Sequence, residues 1–244
     1  MIDFLARRAV PGVEEVVDGV YRRSVGGRAV DLRPDADDAH SRAVFDLDRD
    51  KAPIAELLGR DPVIGHLVRA DPGTGVPGTV DPDELAFRAV LGQQVSVAGA
   101  RTLAARLVQE YGEPLAEPRG AVTHDFPTAE ALAAVDPERL PMPRSRGRAL
   151  VGLARALAEG DVDLHGDPAD AREALLALPG IGPWTVEYVA MRALRDPDAF
   201  PASDLGIRHA LAKLGAGIEA AENWRPYRAY AVPHLWGALG LPGR

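Results

Sequence analysis

The stretch LPGIGPWTVEYVAM, residues 178–191, sets Pro179, Gly180, Gly182 and Pro183 around one apolar residue, Ile181, and then enters a mostly apolar helical pattern. Glycine permits positive φ and close backbone approach, so the pair predicts a tight turn that Ile181 anchors by pointing inward. Pro183 suits the first position of the next helix, where its missing N–H leaves no bond unmade. Residues 171–178 are also helical in pattern, so the segment reads helix, hairpin, helix. The free N–H groups at the start of the second helix form an anion site that needs no positive side chain, and a DNA phosphate fits it. An ordinary αα-corner with glycine as C-cap accounts for the same residues equally well.

The rest of the chain constrains that choice. Its 244 residues, 46% hydrophobic, suffice for one large or two modest domains. A net charge of −8 argues against a generally basic nucleic-acid binder. Any DNA contact must then be local, made by oriented backbone groups and a few arginines. The absence of Cys excludes disulfides, Cys-bound zinc and iron–sulfur clusters. With no bilayer-length apolar run and no signal-peptide pattern at MIDFLARRAV, a soluble cytoplasmic protein is expected. Lys51 and Lys213 are the only lysines.

Along the chain, Val13, Val16, Val17 and Val20 fall on one helical face, predicting a helix over residues 11–21. Residues 29–33 and 43–48 alternate like short strands. Helices follow near 53–58 and 62–68, and the Gly/Pro-dense DPGTGVPG at 71–78 reads as a loop between subdomains. Asp81-Pro82 is an N-cap followed by proline at the first helical position. The helix it opens is interrupted at Gly92-Gln93-Gln94, and a longer one runs over 96–111. Further helices start near Thr128, Pro143, Pro168, Pro183, Asp204 and Pro226, with Pro233 inside the last. The expected architecture is α+β: a small N-terminal mixed α/β unit, residues 1–70, then an all-helical body, residues 71–244.

The hairpin does not stand alone. FPASD, residues 200–204, follows Gly182 at about twenty residues, and FLARRAVPGVEEV, VLGQQVSVAGA and WRPYRAYAVPHLW occupy both ends and the middle of the chain. Together these segments resemble the HhH-GPD superfamily of DNA glycosylases, and within it the AlkA-like, 3-methyladenine DNA glycosylase II group. The resemblance spans nearly the whole chain. It implies a TBP-like N-terminal unit, truncated at the point where this chain starts. It implies a helix-hairpin-helix body with its active-site cleft between two helical halves. It also implies a monomer that works on alkylated double-stranded DNA at the bacterial nucleoid, without a cofactor and away from membranes. Related domains occur fused behind an alkyl-transfer domain, so a longer polypeptide is a second possibility for the chain.

The resemblance also implies roles for single residues. Asp204 sits where the family carries its catalytic Asp; read alone, it is equally a helix cap. Trp184 stands where strand-cutting members carry a Schiff-base lysine, which points to a monofunctional enzyme using water. Trp184, Tyr188, Trp236 and Phe4 are placed around a flipped base, where an aromatic box attracts a cationic alkylated purine, with Leu205 at its edge. Gly180, Ile181 and Gly182 are placed on a DNA phosphate, and Gln93, Gln94 and Ser96 at the duplex. Gln94 takes a wedge position that is apolar in the best-known relatives. The carbonyls of Leu176, Leu178 and Ile181 are candidates for a monovalent cation. His209 and His234 show no metal-ligand spacing. The rivals are a glycosylase for hypoxanthine or a mismatched base, and a non-catalytic DNA-binding module.

Overall fold

The Asp18-Gly19 pair decides the N-terminal architecture. Both residues have positive φ, 51° and 76°, as a two-residue hairpin turn demands. Residues 11–21 therefore do not form the expected helix. They give β1 (Glu14–Val17) and the start of β2 (Val20–Val25), paired antiparallel with Val17 opposite Val20. The β-branched valines that suggested a helical face fit a pleated surface better. The computed structural model describes residues 1–240. Ahead of the hairpin lies α1 (Ile2–Arg8), and β3 (Arg28–Leu32) pairs antiparallel with β2.

The expected strand over 43–48 is also a helix, α2 (Ala39–Phe45). The Asp38 carboxylate accepts the N–H groups of His40 and Ser41 at 3.0 and 2.9 Å, and this cap starts the helix. Next come α3 (Ala52–Gly59), α4 (Gly65–Ala70) and the predicted loop. The body then holds α5 (Pro82–Leu91), capped by Asp81, α6 (Val97–Tyr111), α7 (Ala129–Ala133), α8 (Arg144–Glu159), α9 (Pro168–Ala177), α10 (Pro183–Arg192), α11 (Leu205–Lys213) and α12 (Arg228–Ala238). One excursion interrupts it. β4 (Pro114–Arg119) and β5 (Val122–His124) form a hairpin that returns to the N-terminal strands, giving a five-stranded sheet in the order β1-β2-β3-β4-β5. A small N-terminal sheet followed by a helical body is thus what the chain forms, with this hairpin as the departure from an all-helical body.

Two apolar cores result. Phe87, Leu107, Leu132, Leu150 and Leu175 build one inside α5–α9. The other joins α1–α4 to the C-terminal helices through Phe4, Leu58, Ile64, Trp224 and Leu235. Helix α10 runs between them, giving Val186 and Val189 to the first and Ala190 and Met191 to the second. A buried ionic network also ties the sheet to α5. Arg23 meets Glu84 at 2.5 Å, and Arg88 bridges Glu84 and Glu14 at 2.7 and 2.8 Å. Arg88 further donates to the Arg8 carbonyl at 2.7 Å, which fixes the end of α1.

Candidate active site

The hairpin forms as read. Helix α9 is followed by its C-cap Leu178, whose carbonyl accepts the Ile181 N–H at 3.1 Å, and Ile181 is buried. Gly180 has φ +86°, and a Cβ there would stand 2.7 Å from the Ala149 Cβ. Glycine is therefore required twice over, by conformation and by space. Gly182, the residue capping α10, faces open space. Among the described residues, the N–H groups of Gly180 and Gly182 donate to no backbone carbonyl.

Trp184 is the second residue of α10, so its ring leaves the first turn of the helix. Tyr188 follows one turn later, the i,i+4 spacing that puts two side chains on one face. The rings stack with centroids 5.2 Å apart at 19°. Trp236 comes from α12, tilted against Tyr188 at 6.5 Å and stacked on Phe4 of α1 at 5.8 Å. All four aromatics come together, but in two layers. Trp184 and Tyr188 are partly exposed, whereas Phe4 is 0% exposed. Phe4 thus backs Trp236 and offers no face of its own. Leu205 is 70% exposed and stands in solvent beside the cluster.

Asp204 caps α11, its Oδ1 accepting the Ile207 N–H at 3.0 Å. The capping role and the aromatic site coincide at this residue. Trp184 Nε1 donates to its Oδ2 at 3.0 Å and Trp236 Nε1 to its Oδ1 at 3.3 Å. Three N–H donors from three helices converge on one carboxylate, which serves only as acceptor. The loop leading to it is pinned. Glu187 accepts the Phe200 N–H at 2.7 Å, Arg172 joins Glu187 to Asp196 at 3.2 and 2.6 Å, and Arg225 and Arg228 hold Asp198.

Gln93 and Gln94 diverge. The Gln93 amide donates to the Gly180 carbonyl and the Thr185 hydroxyl, both at 3.0 Å, so it locks the interhelical loop to the hairpin. Gln94 takes φ +54°, which turns its side chain outward into solvent. Ser96 caps α6 through the Gly99 N–H at 3.1 Å. Each lysine has a partner outside the Asp204 cluster: Lys51 pairs with Asp46 at 2.9 Å and Lys213 donates to the Ala238 carbonyl at 3.1 Å. Among the described residues no group of three or more His, Asp or Glu is arranged to hold a metal.

Sequence reasoning missed two arginines. Arg8 lies one turn after Phe4, its guanidinium 3.8 Å from the Phe4 ring centroid and 5.9 Å from that of Trp236. Arg192 lies one turn after Tyr188 and donates to its phenol at 2.8 Å, with its other nitrogens on the Pro77 and Gly78 carbonyls. Burial raises the Tyr188 phenol, but Arg192 and Arg8 outweigh it and bring it below the usual tyrosine range. Burial, with Arg192 and Arg88 nearby, lowers Arg8. The signal was present in the sequence as two aromatic–arginine pairs at i,i+4.

Residues 87–224 match the HhH-GPD superfamily base excision DNA repair protein family, and residues 38–81 the AlkA N-terminal domain. A protein of Mycobacterium tuberculosis named probable bifunctional transcriptional activator/DNA repair enzyme AlkA is 45% identical over 98% of this chain. The match covers 54% of that protein, so the chain spans about half the length of this relative. The DNA-3-methyladenine glycosylase 2 of Escherichia coli is 38% identical over 98% of this chain and 93% of its own. The solved 3-methyladenine DNA glycosylase of Archaeoglobus fulgidus has the same fold, with a TM-score of 0.74 at 23% identity over 97% of this chain and 94% of that one. Among the described residues no helix is long and apolar enough to cross a membrane.

Proposed function

Because the chain belongs to the HhH-GPD superfamily of base excision DNA repair proteins, we propose that it is a monofunctional glycosylase excising alkylated bases from duplex DNA. The observation that carries this reading is the carboxylate of Asp204, held by two indole N–H groups, while both lysines bond to other groups. The damaged base swings out of the stack and lies against Trp184, Tyr188 and Trp236. Cleavage of the N-glycosidic bond builds positive charge on the deoxyribose, and a preorganised carboxylate stabilises it. Water completes the hydrolysis and leaves an abasic site. The hairpin N–H groups hold a phosphate while Gln94 fills the gap left by the base. The carbonyls of Leu176, Leu178 and Ile181 are the place for a monovalent cation at the same phosphate. A monomer working on the bacterial chromosome, alone or as part of a longer chain with an alkyl-transfer domain, belongs to the same proposal.

The test is incubation with methylated duplex DNA and identification of what is released. We expect free 3-methyladenine and 7-methylguanine, with the strand intact until alkali or heat is applied. A Schiff base needs a deprotonatable amine at the sugar, and both lysines are engaged elsewhere. Borohydride should therefore trap no covalent complex. Efficient trapping would overturn the monofunctional reading, and DNA binding without base release would leave a non-catalytic module.

A further inference from the structure

Asp204 stands at the end of a short run, residues 200–204, and that run is stiff. Proline at 201 fixes one φ. The Ala202 N–H donates to the Phe200 carbonyl and the Asp204 N–H to the Pro201 carbonyl, both at 2.8 Å. At the start of the run Phe200 is buried, its ring edge-on to Trp224 with centroids 5.9 Å apart. A shift of the Phe200 backbone is therefore passed on to Asp204 rather than absorbed on the way.

Helix α10 grips this run at both ends. Trp184 Nε1 holds the Asp204 carboxylate. Glu187, three residues further along and so on a neighbouring part of the helix surface, accepts the Phe200 N–H on Oε2 at 2.7 Å. Its Oε1 takes the Arg172 guanidinium of α9 at 3.2 Å, and Arg172 also reaches Asp196 at 2.6 Å. An ion pair that only docked α9 on α10 would leave the second carboxylate oxygen to water. Here that oxygen satisfies a backbone N–H beside a buried ring, where an unmade bond is costly. The Glu187 and Arg172 side chains are 28% and 24% exposed, so water competes poorly for either bond. Glu187 thus joins the first helix of the hairpin pair to the run that carries Asp204.

We propose that Glu187 is a positioning residue for the reaction. By holding the Phe200 N–H it sets where the Asp204 carboxylate stands against Trp184, and hence against the deoxyribose. The inference rests on the glycosylase reading given above. Glu187 contributes no charge to the reacting atoms; it acts through Asp204. Misplacing a reacting or stabilising group by about 1 Å costs on the order of a hundredfold in rate, so a single anchor four residues away is enough to matter.

The experiment measures single-turnover release of 7-methylguanine from duplex DNA by wild type, Glu187→Met, Glu187→Gln, Asp204→Asn and the Glu187→Met, Asp204→Asn double variant. Methionine keeps the bulk and removes the acceptor. Glutamine keeps an acceptor oxygen for Phe200 and gives up the charge facing Arg172. At saturating enzyme Glu187→Met should lose about tenfold to a hundredfold in rate, with half-saturation unchanged, and Glu187→Gln should recover most of it. In the Asp204→Asn background the methionine should cost little more, because the charge it misplaces is already gone. Should Glu187→Met fail to fold, Glu187→Asp takes its place, since it keeps the charge and withdraws the oxygen by one methylene. Equal losses in both backgrounds would show that Glu187 does not act through Asp204. A full rate at saturation with only a lower melting temperature would show that it supports the fold alone, and a glutamine variant as slow as the methionine one would assign the effect to the Arg172 pair. Each of these overturns the proposal while leaving the glycosylase reading in place. A wild type that releases no base overturns that reading and this inference with it.

Discussion

At the scale of the residue, Asp204 caps α11 and, in the proposed reaction, supplies the negative charge, and one substitution can separate the two. Asparagine caps helices as well as aspartate does, so Asp204→Asn should keep α11 and DNA affinity while removing the charge. Loss of one preorganised electrostatic partner costs roughly 3 kcal/mol of barrier, about a hundredfold or more in rate. Single-turnover excision near the wild-type rate would sink the assignment. Trp184→Phe is the companion: it keeps the ring on Tyr188 and removes the N–H that holds Oδ2. A hydrogen bond to a charged group is worth roughly 1.5–3 kcal/mol, so a loss of about tenfold or more is expected, against little change if Trp184 only stacks. Asp204 and Trp184 were legible because both follow the hairpin at a spacing that the resemblance makes meaningful. Arg8 and Arg192 were not, since an arginine one turn beyond an aromatic is what any helix surface shows until the partner helix is in place. Phe4 was legible as part of the cluster but not as its second layer, because depth depends on where α12 lays Trp236.

At the scale of the element, the hairpin was readable since its glycines and prolines act locally, through φ and a missing N–H. Helix starts at Asp81, Ser96 and Thr128 were readable for the same reason, each being a side-chain cap on its own helix. The failures are elements whose local signals point two ways. The valines of residues 13–20 satisfy a helical face, and only the Asp-Gly turn marks them as two strands. β4 contains Pro114 and Pro118 and few β-branched residues, so its strand character comes from pairing with β3 and β5 rather than from propensity. The hairpin also yields a test with unequal arms. Gly180→Ala would force a non-glycine into positive φ against Ala149, at a cost of about 1–3 kcal/mol for the conformation alone. Its DNA-binding defect would therefore mix folding with function. Gly182→Ala meets nothing within 4 Å and has φ −104°, so the fold should hold. If the hairpin N–H groups clamp a phosphate, this variant should bind damaged and undamaged duplex more weakly to the same degree. Weakening confined to damaged DNA would place Gly182 at the base pocket instead.

At the scale of the whole molecule, the site exists where two cores meet. Helix α10 supplies Trp184 and Tyr188 between them, while α1, α11 and α12 bring Phe4, Asp204 and Trp236 from the second core. The buried network of Glu14, Arg23, Glu84 and Arg88 reaches the end of α1 through the Arg8 carbonyl, and no sequence spacing announces it as a whole because its members come from β1, β2 and α5. Glu14 is 5% exposed. Burial alone would raise its carboxyl, but Arg88 and Arg23, with hydrogen bonds from Arg88 and Tyr21, bring it down to about 2 from 4.5. A carboxylate whose folded pKa is depressed stabilises the protein above its unfolded pKa and loses that contribution as pH falls through the folded value. The contribution is on the order of 3 kcal/mol, present at neutral pH and lost between about pH 4.5 and 2. Glu14→Gln should remove this acid-side dependence from an unfolding curve measured against pH. It should also destabilise the protein at neutral pH by roughly 3–5 kcal/mol, since Arg23 and Arg88 would then share a single buried carboxylate. If the network positions α1, a thermally intact preparation of the variant at low temperature should also excise more slowly than wild type, because Phe4 and Arg8 would no longer be held against Trp236. An unfolding curve with unchanged pH dependence would show that Glu14 is not the group whose protonation opens the interface between the sheet and α5.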